Sequence, residues 1–220
     1  MSTEPTRDCP LCPRLVDFRS AARERQPTWH NAPVPSFGAR DPIILIVGLA
    51  PGLSGANRTG RPFTGDWAGH LLYETLIAFG LAHGRYEERS DDGLTLDGCL
   101  ITNAVRCVPP ENRPTPAEIA TCRHYLAMTM AGLLRLRGVV ALGRIAHDSV
   151  LRALGARPTR FAFAHGAEHR LLDPDGRAIT VFDSYHCSRY NTNTGVLTAE
   201  MFRAVFARVR AFIDRSAAGP

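Results

Sequence analysis

The sequence predicts an α/β fold, a mostly parallel sheet covered by helices on both faces, from three observations. Short, continuous apolar runs such as IILIVG (43–48) recur along the chain, as strands buried on both faces require. Segments with apolar residues every three to four positions alternate with those runs. Loops rich in Gly, Pro, Asn and hydroxyl residues follow them. Strand alternating with helix implies parallel strands joined by crossovers that leave helices on both sides.

Taken in order, residues 1–40 are rich in Pro and Arg, carry a CPLC pair and show no sustained period, so an irregular arm is expected, held down by something. The α/β core is expected over 41–215, within one domain spanning 1–220. IILIVG opens it as the first strand. Leu71, Leu72, Thr75, Leu76 and Phe79 then sit at helical spacing and predict a helix from about Asp66 to Gly80. CLITNAV (99–105) reads as the second strand, followed by the turn-rich CVPPENRPTP. Pro116, suited to a first helical turn, opens a helix running to about Leu136. VVALG (139–143) is the third strand, and RIAHDSVLRALG a helix closed by Gly155. AITVFDSYH (178–186) is the fourth strand, and Thr198 caps a last helix, AEMFRAVFARVRAFI.

Composition narrows the class. Hydrophobic residues at 45% and charged residues at 21% are globular values, and no apolar run approaches the roughly 18 residues of a membrane span. The opening MSTEPTRDCP has no apolar core of the kind a secretory signal needs, so a cytosolic protein is expected. The net charge of +5 is compatible with a polyanionic partner. All 26 basic residues are arginine. A side-chain amine able to form a Schiff base must come from lysine, so the N-terminal amine is the one amine available.

Six cysteines in a cytosolic chain point away from disulfides and toward metal ligation. Cys9 and Cys12 form a C-x2-C pair in the arm, and Cys107 and Cys122 flank the start of a helix. Four thiolates suit zinc or an iron–sulfur cluster, and spacing does not separate the two. Either would anchor the arm. Cys99 reads as core and Cys187 as part of a loop.

Ligands bind beyond the carboxyl ends of such strands. Three segments meet there: GLAPGLSGANRTGRPFTGD (48–66), the Asn103 region, and YHCSRYNTNTG (185–195). The first has neither the lysine of a nucleotide P-loop nor a G-x-G-x-x-G pattern. Its glycines let backbone amides approach a phosphate or a base closely. Phe63 between Pro62 and Thr64 offers an aromatic face to a flat ligand, or else anchors the loop in the core. Asn103 reads as a site amide or a core amide, and Asp66 as an acid or a helix cap. His165 and His169 in HGAEH suit a strand or turn better than a metal-binding helix.

Those three motifs, with the four cysteines in collinear order, resemble the family 5 uracil-DNA glycosylases of bacteria and archaea, relatives of the family 4 iron–sulfur enzymes. The resemblance implies a three-layer α/β/α sandwich around a central four-stranded parallel sheet. It implies a 4Fe-4S cluster on Cys9, Cys12, Cys107 and Cys122, with zinc as the alternative. Phe63 would stack on a flipped base, Asn103 read its Watson–Crick edge, and His186 donate toward the uracil O2. Gly48, Ala50 and Gly52 would line the pocket, and Asp66 would position water. Arg58, Ser188, Arg189, Tyr190 and Asn191 would meet DNA.

The implied activity is monofunctional hydrolysis of the N-glycosidic bond in base excision repair, without strand cleavage. Its substrates would be single- and double-stranded DNA carrying uracil, hypoxanthine, xanthine, ethenocytosine or mismatched thymine, bound by a monomer away from any membrane. One departure stands out: His186-Cys187-Ser188 replaces an expected His-Pro-Ser. GLAPG carries Leu49 and Ala50 where close relatives have an acid or amide, an absence the family 5 enzymes share. Two other readings are a non-catalytic damaged-DNA-binding module and a small-molecule hydrolase using Ser54 or Ser188 with His186. The absence of G-x-S-x-G after a strand disfavours the hydrolase.

Overall fold

The four apolar runs become neighbours in the middle of one sheet. The computed structural model describes residues 3–217. In chain order the elements are α1 (Pro13–Arg25), β1 (Phe37–Gly38), β2 (Ile44–Gly48), α2 (Ala56–Thr59), α3 (Trp67–Ala78), β3 (Ala82–His83), β4 (Thr95–Leu96), β5 (Cys99–Asn103), α4 (Pro116–Gly132), β6 (Gly138–Leu142), α5 (Arg144–Ala153), β7 (Glu168–Leu172), β8 (Ala178–Ser184), α6 (Arg189–Asn193) and α7 (Ala199–Ala217). Strands β5, β2, β6 and β8 are mutually parallel in that spatial order. The expected four-stranded parallel sheet is therefore the centre of a six-stranded mixed one, with β1 and β7 added antiparallel at its edges.

Strand β2 is buried at every position, and its alternate side chains serve two cores. Ile44 and Ile46 face Leu72 and Leu76 of α3 and Phe202 and Phe206 of α7. Leu45 and Val47 face Leu126 and Met130 of α4 and Val150 and Leu151 of α5. Each such side chain contributes about 1.5–3 kcal/mol by leaving water, so the three layers are held by the strand period itself. Among the described residues no helix is long and apolar enough to cross a membrane.

Two expectations are corrected, and one strand is added. The arm is not irregular throughout: it contains the 13-residue α1. Its inward positions are Leu15, Arg19 and Ala22. Arginine in the middle of that stripe hides the helical period. Strand β7 pairs with β8 through the turn at Asp173–Gly176, and its one-sided burial gives EHRLL no continuous apolar run. Helix α4 stops at Gly132 rather than about Leu136, because Leu133 and Leu136 turn inward to the core beneath it. The start of α4 is built as its sequence suggests: Thr115 and Glu118 form a capping box around Pro116.

The arm is tied to the core by two arginines, Arg106 buried and Arg14 exposed. Arg106, 1% exposed, donates to Glu4 (2.8 Å), Ser36 (2.8 Å) and Thr129 (3.2 Å). Arg14 makes a two-pronged pair with Glu118, both contacts at 2.8 Å. The planar guanidinium suits such multiple acceptors better than an ammonium does.

Candidate active site

Parallel pairing aligns Gly48 at the end of β2 with Asn103 at the end of β5. Two residues past the end of β8 comes His186. The sheet thus delivers an amide and an imidazole to one rim, and the loop after β2 supplies Phe63 and Asp66. Together with Ala50 and Gly52 these residues line one cavity. It opens into a groove of about 370 Å³ bordered by Leu49, Trp67, Asn112, Ser188 and Arg189.

Phe63 is 6% exposed and does both things expected of it: it packs on the core under α3, and its ring forms a wall of the cavity. Gly48 makes this possible. A Cβ there would lie 2.5 Å from the Phe63 ring and 2.5 Å from the Asn103 Oδ1, so both side chains rest on bare backbone. Phe63 also has a φ of +53°. For a bulky residue that left-handed conformation costs about 1–3 kcal/mol and persists only where neighbours impose it.

His186 is held with its ring nearly parallel to that of Phe63, 5.8 Å between centroids and 25° between planes. A flat base sandwiched between them would need about 7 Å, two van der Waals contacts of roughly 3.5 Å. His186 is therefore placed to meet a stacked base at its edge, as a hydrogen-bonding group does. Burial pushes its pKa down to about 4, so the imidazole is neutral at pH 7.

Asp66 is the N-cap of α3, its Oδ1 accepting from the Gly69 N–H at 3.3 Å. Its Oδ2 lies over Gly55 and Gly52, where added Cβ atoms would fall 2.5 Å and 3.2 Å away. One oxygen caps the helix and the other borders the cavity. Burial raises the carboxyl pKa.

The loop after β8 is fixed from within. Ser188 caps α6 by accepting from the Asn191 N–H (3.3 Å), and the Asn191 side chain donates to the His186 carbonyl (2.8 Å). Cys187 is fully buried, its thiol 3.5 Å from the Ala68 carbonyl. Arg189 and Tyr190 are exposed, as is Arg58, which donates to the Ser54 carbonyl at 2.7 Å. Sequence reasoning missed Trp67. This residue is 49% exposed, donates from Nε1 to Thr192 (2.9 Å) and lies under the Arg189 guanidinium, 5.6 Å from its ring centre. The available signal was a tryptophan at the first position of a helix, directly after the Asp66 cap. Neither Ser54 nor Ser188 bonds through its hydroxyl to His186 among the described residues, so no serine–histidine pair is assembled.

Cys9, Cys12, Cys107 and Cys122 line one apolar cavity between α1 and α4. Arg19 donates to the Cys107 sulfur (3.5 Å) and the Arg106 N–H to the Cys122 sulfur (3.2 Å). Burial pushes the Cys107 thiol up to about 12 and Cys122 up to about 11, so a cation is needed to hold them as thiolates. Four sulfurs around one zinc stand about 3.8 Å apart, from a Zn–S bond of about 2.3 Å. Among the described residues, the set of three or more metal-ligand atoms lying within 4.8 Å of one another is His147, His169 and Asp183, not the thiols. Four thiols converging on one apolar cavity are a donor set for either a zinc ion or an iron–sulfur cluster.

The histidine set is a hydrogen-bonded chain: His147 Nδ1 to Asp183 Oδ1 (2.8 Å), His169 Nε2 to Asp183 Oδ2 (3.0 Å), and His147 Nε2 to the Phe161 carbonyl (3.0 Å). Both ring nitrogens of His147 face acceptors, the Phe161 carbonyl and the Asp183 carboxylate, an arrangement that favours the protonated ring. Its attraction to Asp183 outweighs the opposing effect of burial and raises its pKa.

Comparison with known proteins places the site in context. The model of the uracil DNA glycosylase superfamily matches residues 35–210. A type-5 uracil-DNA glycosylase of Thermus thermophilus is 45% identical over 208 residues, covering 92% of this chain and 92% of that protein. One from Pyrobaculum aerophilum is 41% identical over 93% of this chain and 88% of its own length. A type-4 uracil-DNA glycosylase of Archaeoglobus fulgidus is 32% identical over 70% of this chain and 69% of its own length.

Proposed function

Since the chain belongs to the uracil DNA glycosylase superfamily, we propose that it is a glycosylase that hydrolyses the N-glycosidic bond of uracil in DNA. The observation that carries this reading is the convergence of Phe63, Asn103 and a neutral His186 on one cavity at the strand ends.

A target base is unreachable inside a duplex, so it must be extruded at a cost of a few kcal/mol, least in mismatched pairs such as those deamination creates. Stacking on Phe63 returns about 1–3 kcal/mol. Asn103 offers a donor and an acceptor to the edge of the base. As the C1′–N1 bond breaks, the bonding pair leaves with the base and negative charge grows at O2. A neutral imidazole N–H of His186 aimed there stabilises that charge, and removing one such donor costs about 100- to 1000-fold. The free Oδ2 of Asp66 orients the water that adds to C1′. With no lysine in the chain, water rather than a side-chain amine attacks, and the abasic strand is left intact. Small Ala50 leaves room for hypoxanthine, xanthine, ethenocytosine and mismatched thymine.

The fit of the four thiols supports a 4Fe-4S cluster on Cys9, Cys12, Cys107 and Cys122, with a structural role: it would staple α1 to the start of α4. Arg189 borders the groove and, with the exposed Arg58 and Tyr190, supplies its phosphate and base contacts, while Ser188 and Asn191 shape the loop. The working form is one domain, a monomer in the cytosol.

The test is release of free uracil from a U:G duplex with the strand unbroken. No release from U:G, hypoxanthine or ethenocytosine substrates refutes the reading. Tight binding without release, unchanged in His186→Ala, supports a damage-binding module instead.

A further inference from the structure

The strained conformation of Phe63 is imposed from outside its loop, and on the glycosylase reading we infer that Tyr86, Arg61 and Asp92 are positioning residues that set the stacking face for the flipped base. Tyr86 comes from the segment between β3 and β4, which contributes nothing to the lining of the cavity. Its hydroxyl bridges the two peptides that follow the strained residue. It accepts from the Gly65 N–H at 3.2 Å and donates to the Phe63 carbonyl at 3.2 Å. The bond to the Phe63 carbonyl needs the phenol protonated, and burial pushes its pKa up to about 12. Gly69 opens the space, since a Cβ there would collide with the Phe63 carbonyl and the Tyr86 hydroxyl.

A second set of contacts locks the residues before Phe63. Tyr73 donates to the Pro62 carbonyl at 2.6 Å. Arg61 donates to Thr64 Oγ1 and makes a two-pronged ion pair with Asp92, every contact at 2.7 Å. Its guanidinium is also boxed by Phe37, Tyr73 and Tyr86, at 5.1, 5.4 and 5.8 Å from their ring centres. Asp92 is closed off in turn by the amides of Glu87 and Leu94, both at 3.0 Å. A cation held between three rings and a fully bonded carboxylate has one geometry. It transmits that geometry to Pro62 and Phe63, two residues on. None of the three residues lines the cavity. Their contribution to catalysis is preorganisation, where a shift of about 1 Å can cost about 100-fold.

The decisive variant is Tyr86→Phe, which removes one oxygen and keeps the ring. Single-turnover uracil release from a U:G duplex is expected to fall about 10- to 100-fold, with duplex affinity changed less than about threefold and the melting midpoint within a few degrees of wild type. In a Phe63→Ala background the same change should have almost no further effect, since residues acting through one another are non-additive. A full, undiminished effect in that background overturns the inference, as does an unchanged rate in Tyr86→Phe. Asp92→Asn, which keeps shape and loses charge, should reproduce the coupling. Hydrogen exchange at the Gly65 amide provides a readout independent of turnover: it should speed up in Tyr86→Phe, and unchanged protection refutes the bridge. A wild-type protein that releases no uracil while Gly65 loses protection in the variant sinks the glycosylase reading alone.

Discussion

Replacing Asp66 by asparagine and by alanine separates the two tasks that its two oxygens perform. As the N-cap of α3, Asp66 accepts from Gly69 through Oδ1, and asparagine caps about as well as aspartate, whereas alanine costs about 0.5–2 kcal/mol. For a chain of this size that is roughly 2–4 °C in melting midpoint per kcal/mol. Burial raises the Asp66 pKa, so the charged form is held at a cost to folding that asparagine does not incur. Asp66→Asn should thus melt at or slightly above wild type, and Asp66→Ala a few degrees below. Positioning of water by Oδ2 makes the opposite grouping for catalysis: both variants should lose about 100- to 10,000-fold in single-turnover uracil release. Because the carboxylate is the working form and its pKa is raised, the acid limb of the wild-type pH–rate profile should lie above the ordinary aspartate value and vanish in Asp66→Asn. Scanning calorimetry and release from a U:G duplex, on the same samples, decide the matter. Wild-type release by Asp66→Asn reduces Asp66 to a helix cap, and equal melting losses in both variants refute the cap.

His186→Ala should lower release about 100- to 1000-fold while duplex binding holds. With its pKa near 4, titration of His186 should leave no inflection in the rate near neutral pH, and an inflection lost in the variant would contradict this. Gly48→Ala inserts a methyl against both Phe63 and Asn103; overpacking should cost about 1–3 kcal/mol by chemical denaturation, and release should fall further than stability explains. The raised pKa of His147 adds stability that is complete below the ordinary histidine value and lost as pH rises through the folded-state value. Melting midpoints should accordingly decline on that alkaline side, and less steeply in His147→Gln. Cys9→Ser should remove visible absorbance from the purified protein and loosen α1, read as faster proteolysis within residues 1–40.

The sheet was legible because β2, β5, β6 and β8 are buried on both faces and so are written as unbroken apolar runs. Elements that bury one face only were harder. Helix α1 turns Arg19 inward to a cysteine sulfur, and β7 alternates exposed and half-buried positions. At the rim, Asn103 closes a strand, His186 lies two residues past one, and Phe63 and Asp66 sit in a loop of unusual composition, which is how the sequence marks them as candidates. The supports of Phe63 were not. Tyr86 and Asp92 lie in a polar, charged stretch, GRYEERSDDG, whose relation to Arg61 exists only once the chain has folded.

The loop departure at Cys187 sharpens how rigidity is distributed. Proline would fix one φ angle and delete one N–H donor. With cysteine there, the same stretch is restrained by three separate contacts: the buried thiol against the Ala68 carbonyl, the Ser188 cap on α6, and the Asn191 amide on the His186 carbonyl. The last acts on the peptide of His186 itself. The orientation of the imidazole therefore depends on residue 191 more than on residue 187. Asn191→Ala should impair uracil release more than Cys187→Ala, even though Cys187 is the more deeply buried. Cys187→Ala removes one weak sulfur hydrogen bond and a small volume, whereas Asn191→Ala frees the carbonyl of the residue that stabilises the leaving base. Single-turnover rates for the two variants, set beside their melting midpoints, test the ordering, and a larger kinetic loss in Cys187→Ala would reverse it.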